Sequence, residues 1–116
     1  MKVLIVEDEA LIVMYLELLL EDFGHQVCAT AASTAEAITH AAVHLPDIAL
    51  MDIRLADGNS GIDAARELYA RHGIRCIFVS GNLDPATRDA VRAYEPIDFV
   101  GKPISRSRLQ QAFEKA

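Results

Sequence analysis

The sequence predicts an α/β fold, a doubly wound five-stranded parallel sheet in the strand order 2-1-3-4-5. Three observations predict it. Five apolar runs of strand length alternate with five segments of helical length. The runs are apolar without alternation, as in strands covered by helices on both faces. Capping residues, glycines and prolines punctuate the alternation where elements should start and stop.

The elements follow in order. Val3 to Val6 is a short β-branched run. Glu9 to Phe23 has helical length, and Gly24 follows as a stop. Gln26 to Ala31 is the second strand. Ser33 with Glu36 three positions on forms a capping box for a helix that runs to about His44. Pro46 precedes the third strand, Ile48 to Met51. Arg54 to Ser60 contains Asp57, Gly58 and Asn59, which is loop chemistry. Gly61 to His72 reads as helix, ended by Gly73. Ile74 to Val79 is the fourth strand. Asp84 caps a helix with Pro85 at its first position, running to about Tyr94. Ile97 to Val100 is the fifth strand, and Ile104 to Lys115 the last helix.

A chain of 116 residues has the size of one domain, expected over 1–116. Hydrophobic residues at 52% and charged residues at 24% exclude disorder. The net charge of −6 repels phosphate backbones, which argues against nucleic-acid binding. The start MKVLIVEDEA is not a signal peptide, because acids interrupt its apolar run. The apolar stretch Ala10 to Leu20 is broken by Glu17 and too short to span a bilayer. A cytoplasmic protein with no membrane insertion is the expectation. Cys28 and Cys76 lie in apolar runs and read as buried, reduced thiols. His25, His40, His44 and His72 read as surface or cap residues, with no metal or phosphohistidine role.

Ligands of such sheets bind outside the carboxyl ends of the strands. The first strand ends in Glu7 and Asp8, the third in Asp52, the fourth in Ser80 and the fifth in Lys102 followed by Pro103. These four strands are neighbours in the expected order. Three carboxylates, a hydroxyl and an ammonium therefore converge on one rim. Carboxylates that close repel one another unless a cation neutralises them. Mg²⁺ suits one or two carboxylates, waters and a phosphate. The set is organised for a phosphoryl group, with Asp52 as the nucleophile that becomes an aspartyl phosphate. Each of these residues alone is an ordinary loop or turn residue; their conjunction at four strand ends carries the argument.

VLIVED at Val3 to Asp8, LMDIRL around Asp52, FVSG around Ser80 and FVGKP around Lys102 resemble the receiver domain of two-component response regulators, over essentially the whole chain. The resemblance implies a flavodoxin-like (βα)5 fold and a role for each matching position. Asp52 is the implied phosphoacceptor. Asp8 holds Mg²⁺ directly and Glu7 directly or through water, with Asp52 and the backbone carbonyl of Arg54 as further ligands. Ser80 donates to a phosphoryl oxygen, Lys102 pairs with another, and the Lys102–Pro103 bond is cis. Ser80 and the aromatic Phe99 form the implied switch. Arg54 and Asn82 stand where the family tunes self-dephosphorylation. Two departures stand out: the loop IRLADGNSG lacks the proline that many members have there, and Gly81 replaces a more usual alanine. The Arg-Leu after Ile53 and the SGN loop resemble an atypical, single-domain branch.

The first helix is apolar nearly all round. Ile12, Tyr15, Leu16, Leu19 and Phe23 make the expected core stripe, while Leu11, Met14 and Leu18 make a second one, widened by Val13. By the resemblance, that second stripe docks a histidine kinase or histidine phosphotransfer protein. Deeper burial and a homodimer seam are its alternatives. A downstream protein target would carry the output.

Three other functions fit the residues less well. An aspartyl-phosphate hydrolase normally needs a second Asp two residues after the nucleophile, and position 54 is Arg. A flavin module needs a hydroxyl-rich first loop, and this one is Glu-Asp-Glu. An interaction-only pseudo-receiver would not need Asp8, Asp52, Ser80 and Lys102 intact. The expected activity is therefore not that of an enzyme with an external substrate, but of a phosphoacceptor that catalyses its own phosphorylation and slow dephosphorylation.

Overall fold

A computed structural model of the chain describes residues 1–55 and 60–116. Five strands and five helices alternate: β1 (Lys2–Val6), α1 (Ala10–Asp22), β2 (Gln26–Ala31), α2 (Thr34–His44), β3 (Ile48–Asp52), α3 (Gly61–His72), β4 (Arg75–Ser80), α4 (Pro85–Val91), β5 (Asp98–Gly101) and α5 (Arg106–Glu114). The strands form one parallel sheet in the order β2-β1-β3-β4-β5, the doubly wound arrangement expected from the sequence. Among the described residues no helix is long and apolar enough to cross a membrane.

Strand alternation divides the core in two. Val3, Ile5, Ile48, Leu50, Ile77 and Val79 face Leu16, Leu19 and Leu20 of α1 and Leu109 and Phe113 of α5. Their strand neighbours Leu4, Val6, Ala49, Met51, Cys76 and Phe78 face Ala37 and Ala41 of α2, Ala64, Ala65 and Leu68 of α3, and Val91 of α4. Both faces are dry, so the strands carry unbroken apolar runs.

The ends of the elements obey local chemistry. Ser33 caps α2 by accepting the Glu36 N–H, and the Glu36 carboxylate accepts from the Ser33 hydroxyl rather than from its backbone, as a full capping box would require. Asp84 caps α4 by accepting from Thr87 N–H, with Pro85 at the first position. Gly73 ends α3 at φ +67°, a left-handed conformation that suits a residue without Cβ.

Several boundaries differ from the sequence reading. Helix α1 begins at Ala10, because Glu9 is extended and caps nothing with its side chain. The helix after Asp84 stays α-helical only to Val91 and tightens into a 3-10 turn over Arg92–Tyr94. Ile74 and Ile97 precede their strands, and Ile104 precedes α5, whose cap is Ser105. The loop expected at Asp57, Gly58 and Asn59 lies outside the described residues.

Burial corrects others. Tyr15 leaves the core stripe of α1: it is exposed and its hydroxyl donates to Ile104 O at 3.1 Å. Leu20, which the sequence reading omitted, takes its place at full burial. Cys76 is buried and Cys28 only half-buried, because β2 is an edge strand. His25 is half-buried and stacks on Phe113 with ring centroids 4.7 Å apart, so it is more than a plain surface residue, while His40 lies part-exposed within α2, one turn from His44.

Candidate functional site

The carboxyl ends of β1, β3, β4 and β5 meet at one rim. Asp52 and Ser80 are the last residues of β3 and β4, Glu7 follows β1, and Lys102 follows β5. Glu7, Asp52 and Ser80 are buried despite their polarity, while Asp8 is exposed. The Lys102 ammonium lies 3.0 Å from Glu7 Oε1 and 3.4 Å from Asp52 Oδ2. The other Glu7 oxygen accepts from the Glu9 N–H at 3.1 Å. Asp52 Oδ1 accepts from the Arg54 N–H at 3.3 Å. Arg54 also pairs with Ser60 in an isolated antiparallel bridge.

One ligand oxygen from each of Glu7, Asp8 and Asp52 lies within 4.8 Å of the others. Among the described residues this is the one cluster of three or more metal-ligating side chains. Its donors are hard carboxylate oxygens, the kind that Mg²⁺ prefers, and a single ammonium cannot neutralise all three charges. A cleft of about 380 Å³ opens over them, bordered by Asp8, Asp52, Arg54, Ser80, Asn82 and Lys102. Burial alone pulls the Lys102 ammonium down. The hydrogen bond with Glu7 and the charges of Asp52 and Glu7 outweigh it and hold its pKa above the ordinary lysine value. The group is a fixed positive charge at the floor of the cleft. The Lys102–Pro103 peptide is cis, as the resemblance implied.

Ser80 turns toward its own loop. Its Oγ accepts from the Asn82 N–H at 3.1 Å and donates to Asn82 O at 3.3 Å. This Ser80–Asn82 closure was not legible in the sequence.

The profile of the family described as "Response regulator receiver domain" matches residues 3–114. The chain belongs to this family. The receiver is 34% identical over 116 residues to the phyllosphere-induced regulator PhyR of Methylorubrum extorquens, covering 99% of this chain and 43% of that protein. It therefore spans less than half the length of that relative. Against the chemotaxis protein CheY of Thermotoga maritima it is 32% identical, covering 98% of this chain and 95% of that one. Among solved structures, the signal receiver domain of a modulated diguanylate cyclase from Desulfovibrio desulfuricans G20 superposes with a TM-score of 0.89 at 32% identity, covering 99% of this chain and 91% of that one.

Two further parts of the receiver bear on its site. Phe99 of β5 is half-buried and stacks on the fully buried Phe78 of β4, ring centroids 5.7 Å apart. The Arg88 guanidinium of α4 lies 4.6 Å from the Phe99 ring centroid, a cation–π contact the sequence reading missed. On α1, Leu11, Met14 and Leu18 are 80%, 59% and 67% exposed. The second apolar stripe is thus at the surface, not buried by neighbouring loops. An apolar cleft bordered by Leu11, Ile12, Tyr15 and Ile104 runs from this face to Lys102 and Pro103.

The sequence reading also missed Gly61. A Cβ there would stand 1.9 Å from the Asp52 carbonyl oxygen, and the Gly61 N–H donates to Ile53 O at 2.6 Å. Nothing in the order Asn59-Ser60-Gly61 distinguishes this close approach from an ordinary helix start.

Proposed function

We propose that this receiver accepts a phosphoryl group on Asp52 from a phosphohistidine, carried by a histidine kinase or a histidine phosphotransfer protein, in a Mg²⁺-dependent reaction. The observation that carries the reading is the placement of the Lys102 ammonium between Glu7 and Asp52, in a cleft bordered by Asp8, Asp52 and Ser80, with Glu7, Asp8 and Asp52 clustered together.

An Asp52 carboxylate oxygen forms the new bond to phosphorus as the phosphorus–nitrogen bond breaks. The imidazole, protonated on its other ring nitrogen, leaves with that electron pair as a neutral ring, and Asp52 becomes a mixed anhydride. Lys102 pairs with one phosphoryl oxygen and Ser80 donates to another, which spreads the charge of the transition state. Mg²⁺, which Asp8, Glu7, Asp52 and the Arg54 backbone carbonyl would hold, supplies further neutralisation of the phosphoryl oxygens. Loss of the phosphoryl group to water is slow, with Arg54 and Asn82 beside the attacking path. Ser80 and Phe99 change setting together when the phosphoryl group is present, a population shift set by its better binding to one state. Leu11, Met14 and Leu18 receive the donor protein, and a downstream protein target reads the switched surface. Residues 1–116 act as one receiver unit in the cytoplasm, where kinases draw on ATP.

The test is incubation with Mg²⁺ and acetyl phosphate, read by intact mass. One added phosphoryl group, absent in Asp52→Asn and in chelator, is the expected result. No added mass together with no binding of beryllofluoride would overturn the reading and leave an interaction-only receiver.

A further inference from the structure

We propose that Arg88 is a positioning residue that couples the loop after Ser80 to the Phe99 ring, and so sets how readily the receiver answers a phosphoryl group. The proposal rests on the phosphoacceptor reading and adds to it the part that carries the signal to the surface.

The contacts form an unbroken path. The Ser80 hydroxyl exchanges two hydrogen bonds with the backbone of Asn82. The next residue, Leu83, presents its carbonyl to Arg88 Nε at 3.3 Å. The same guanidinium covers the Phe99 ring at 4.6 Å, and that ring stacks on Phe78. Asp84 caps the helix that carries Arg88, accepting from Thr87 N–H at 2.8 Å, so loop and helix start move as one piece. No other aromatic in the described residues is held by both a loop-anchored cation and a core ring.

The direction of the effect follows. A phosphoryl group on Asp52 competes for the Ser80 hydroxyl, which must leave Asn82 to reach it. Freeing Asn82 moves Leu83, and the carbonyl that orients Arg88 moves with it. Arg88 then loses its place over Phe99. In the setting observed here, the guanidinium therefore favours the state in which Ser80 faces its loop. Removing it should make the other state easier to reach. An exposed guanidinium over such a half-buried ring is worth a factor of roughly two to five in the equilibrium.

The experiment titrates beryllofluoride with Mg²⁺ into the wild type, Arg88→Ala, Arg88→Lys, Phe99→Leu and the Arg88→Ala/Phe99→Leu pair. Aromatic NMR signals of Phe99, assigned by their loss in Phe99→Leu, are recorded throughout. The expected result is roughly two- to fivefold tighter beryllofluoride binding in Arg88→Ala. Its unliganded Phe99 signals should be displaced toward their saturated positions. Arg88→Lys, which keeps the charge, should fall between the two. In the Phe99→Leu background, Arg88→Ala should have no effect on binding. A loss of α4 stability alone would not make the effect depend on the Phe99 ring. Wild-type binding with unchanged affinity and unchanged Phe99 signals in Arg88→Ala would overturn the coupling alone. An Arg88→Ala effect that persists in Phe99→Leu would overturn it as well. Failure of the wild type to bind beryllofluoride would instead overturn the phosphoacceptor reading, and the coupling with it.

Discussion

Gly61 sits so close to Asp52 that a single added carbon would stand 1.9 Å from the Asp52 carbonyl oxygen. The obstacle is backbone, which cannot swing aside as a side chain can. Helix α3 is thereby seated directly on the strand end that presents the candidate phosphoacceptor. Gly61→Ala should destabilise the receiver by about 1–3 kcal/mol, as overpacking does. It should also slow labelling by acetyl phosphate, because Asp52 must shift. Urea unfolding and a labelling time course check both. Wild-type values for both would show that the helix start simply relaxes.

Asp52→Asn should abolish labelling while the melting temperature stays within a few degrees of wild type. Lys102 keeps Glu7 as a partner at 3.0 Å, so no cation is stranded. Lys102→Ala should leave a folded protein that fails to propagate the signal, because Glu7 and Asp52 lose their shared counter-charge. Circular dichroism with mass labelling reads the first. Beryllofluoride-induced shifts of Phe99 read the second, and full-sized shifts in Lys102→Ala would refute its role.

Leu18→Glu should weaken transfer from a protein phosphodonor and spare labelling by acetyl phosphate. Leu18 is 67% exposed and lies on the opposite side of α1 from the buried Leu16 and Leu20, so the change does not disturb the core. An equal loss with both donors would remove α1 from the docking surface.

Acid stability should depend on Asp98. Burial alone would raise its pKa. The bonds from Arg108 Nη1 at 2.9 Å, the Phe99 N–H at 2.8 Å and Lys115 Nζ at 3.1 Å outweigh burial and bring the carboxyl to about 2. Its folded pKa is depressed, so the stabilisation is fully present above the unfolded value of about 4. It is lost as pH falls through about 2. Solvent around the exposed Lys115 and part-exposed Arg108 screens the interaction, so the contribution at neutral pH is about 1 kcal/mol. Asp98→Asn should lose that stability at pH 7 and show a flatter acid limb. Urea midpoints between pH 2 and pH 7, a range of order five units, measure it. Parallel curves for both proteins would refute it.

The two thiols should separate cleanly. Burial pushes the Cys76 thiol up to about 12, so it stays protonated and shielded. Cys28 is half-buried at the edge, with Sγ 3.4 Å from Val3 O. An alkylating reagent at mild alkaline pH should modify Cys28 slowly and Cys76 only after unfolding, as peptide mass mapping would show. Equal rates in the native protein would contradict this burial.

The sheet order was legible because the central strands β1, β3 and β4 are apolar on both faces and the helices between strands bring start or stop signals. The site was legible for a related reason: a parallel sheet sends its strand ends to one rim, so Glu7, Asp8, Asp52, Ser80 and Lys102 could be assembled by counting. The contacts between those ends were not. The backbone contact under Gly61, the turn of Ser80 onto Asn82 and the reach of Arg88 over Phe99 depend on three-dimensional approach, which spacing does not encode. Tyr15 misled for the opposite reason: its helical phase suits the core, but its hydroxyl is better satisfied at Ile104 O.

The alternation of strand side chains has one more consequence. Leu16 and Leu68 belong to packings separated by the thickness of the sheet and share no side-chain partner. Losses at the two should simply add, as they do for independent positions. One half of the interior can therefore be rewritten while the other is left alone. The α1 surface and the α4 surface are free to diverge under separate demands, with only the strand ends bound to serve both.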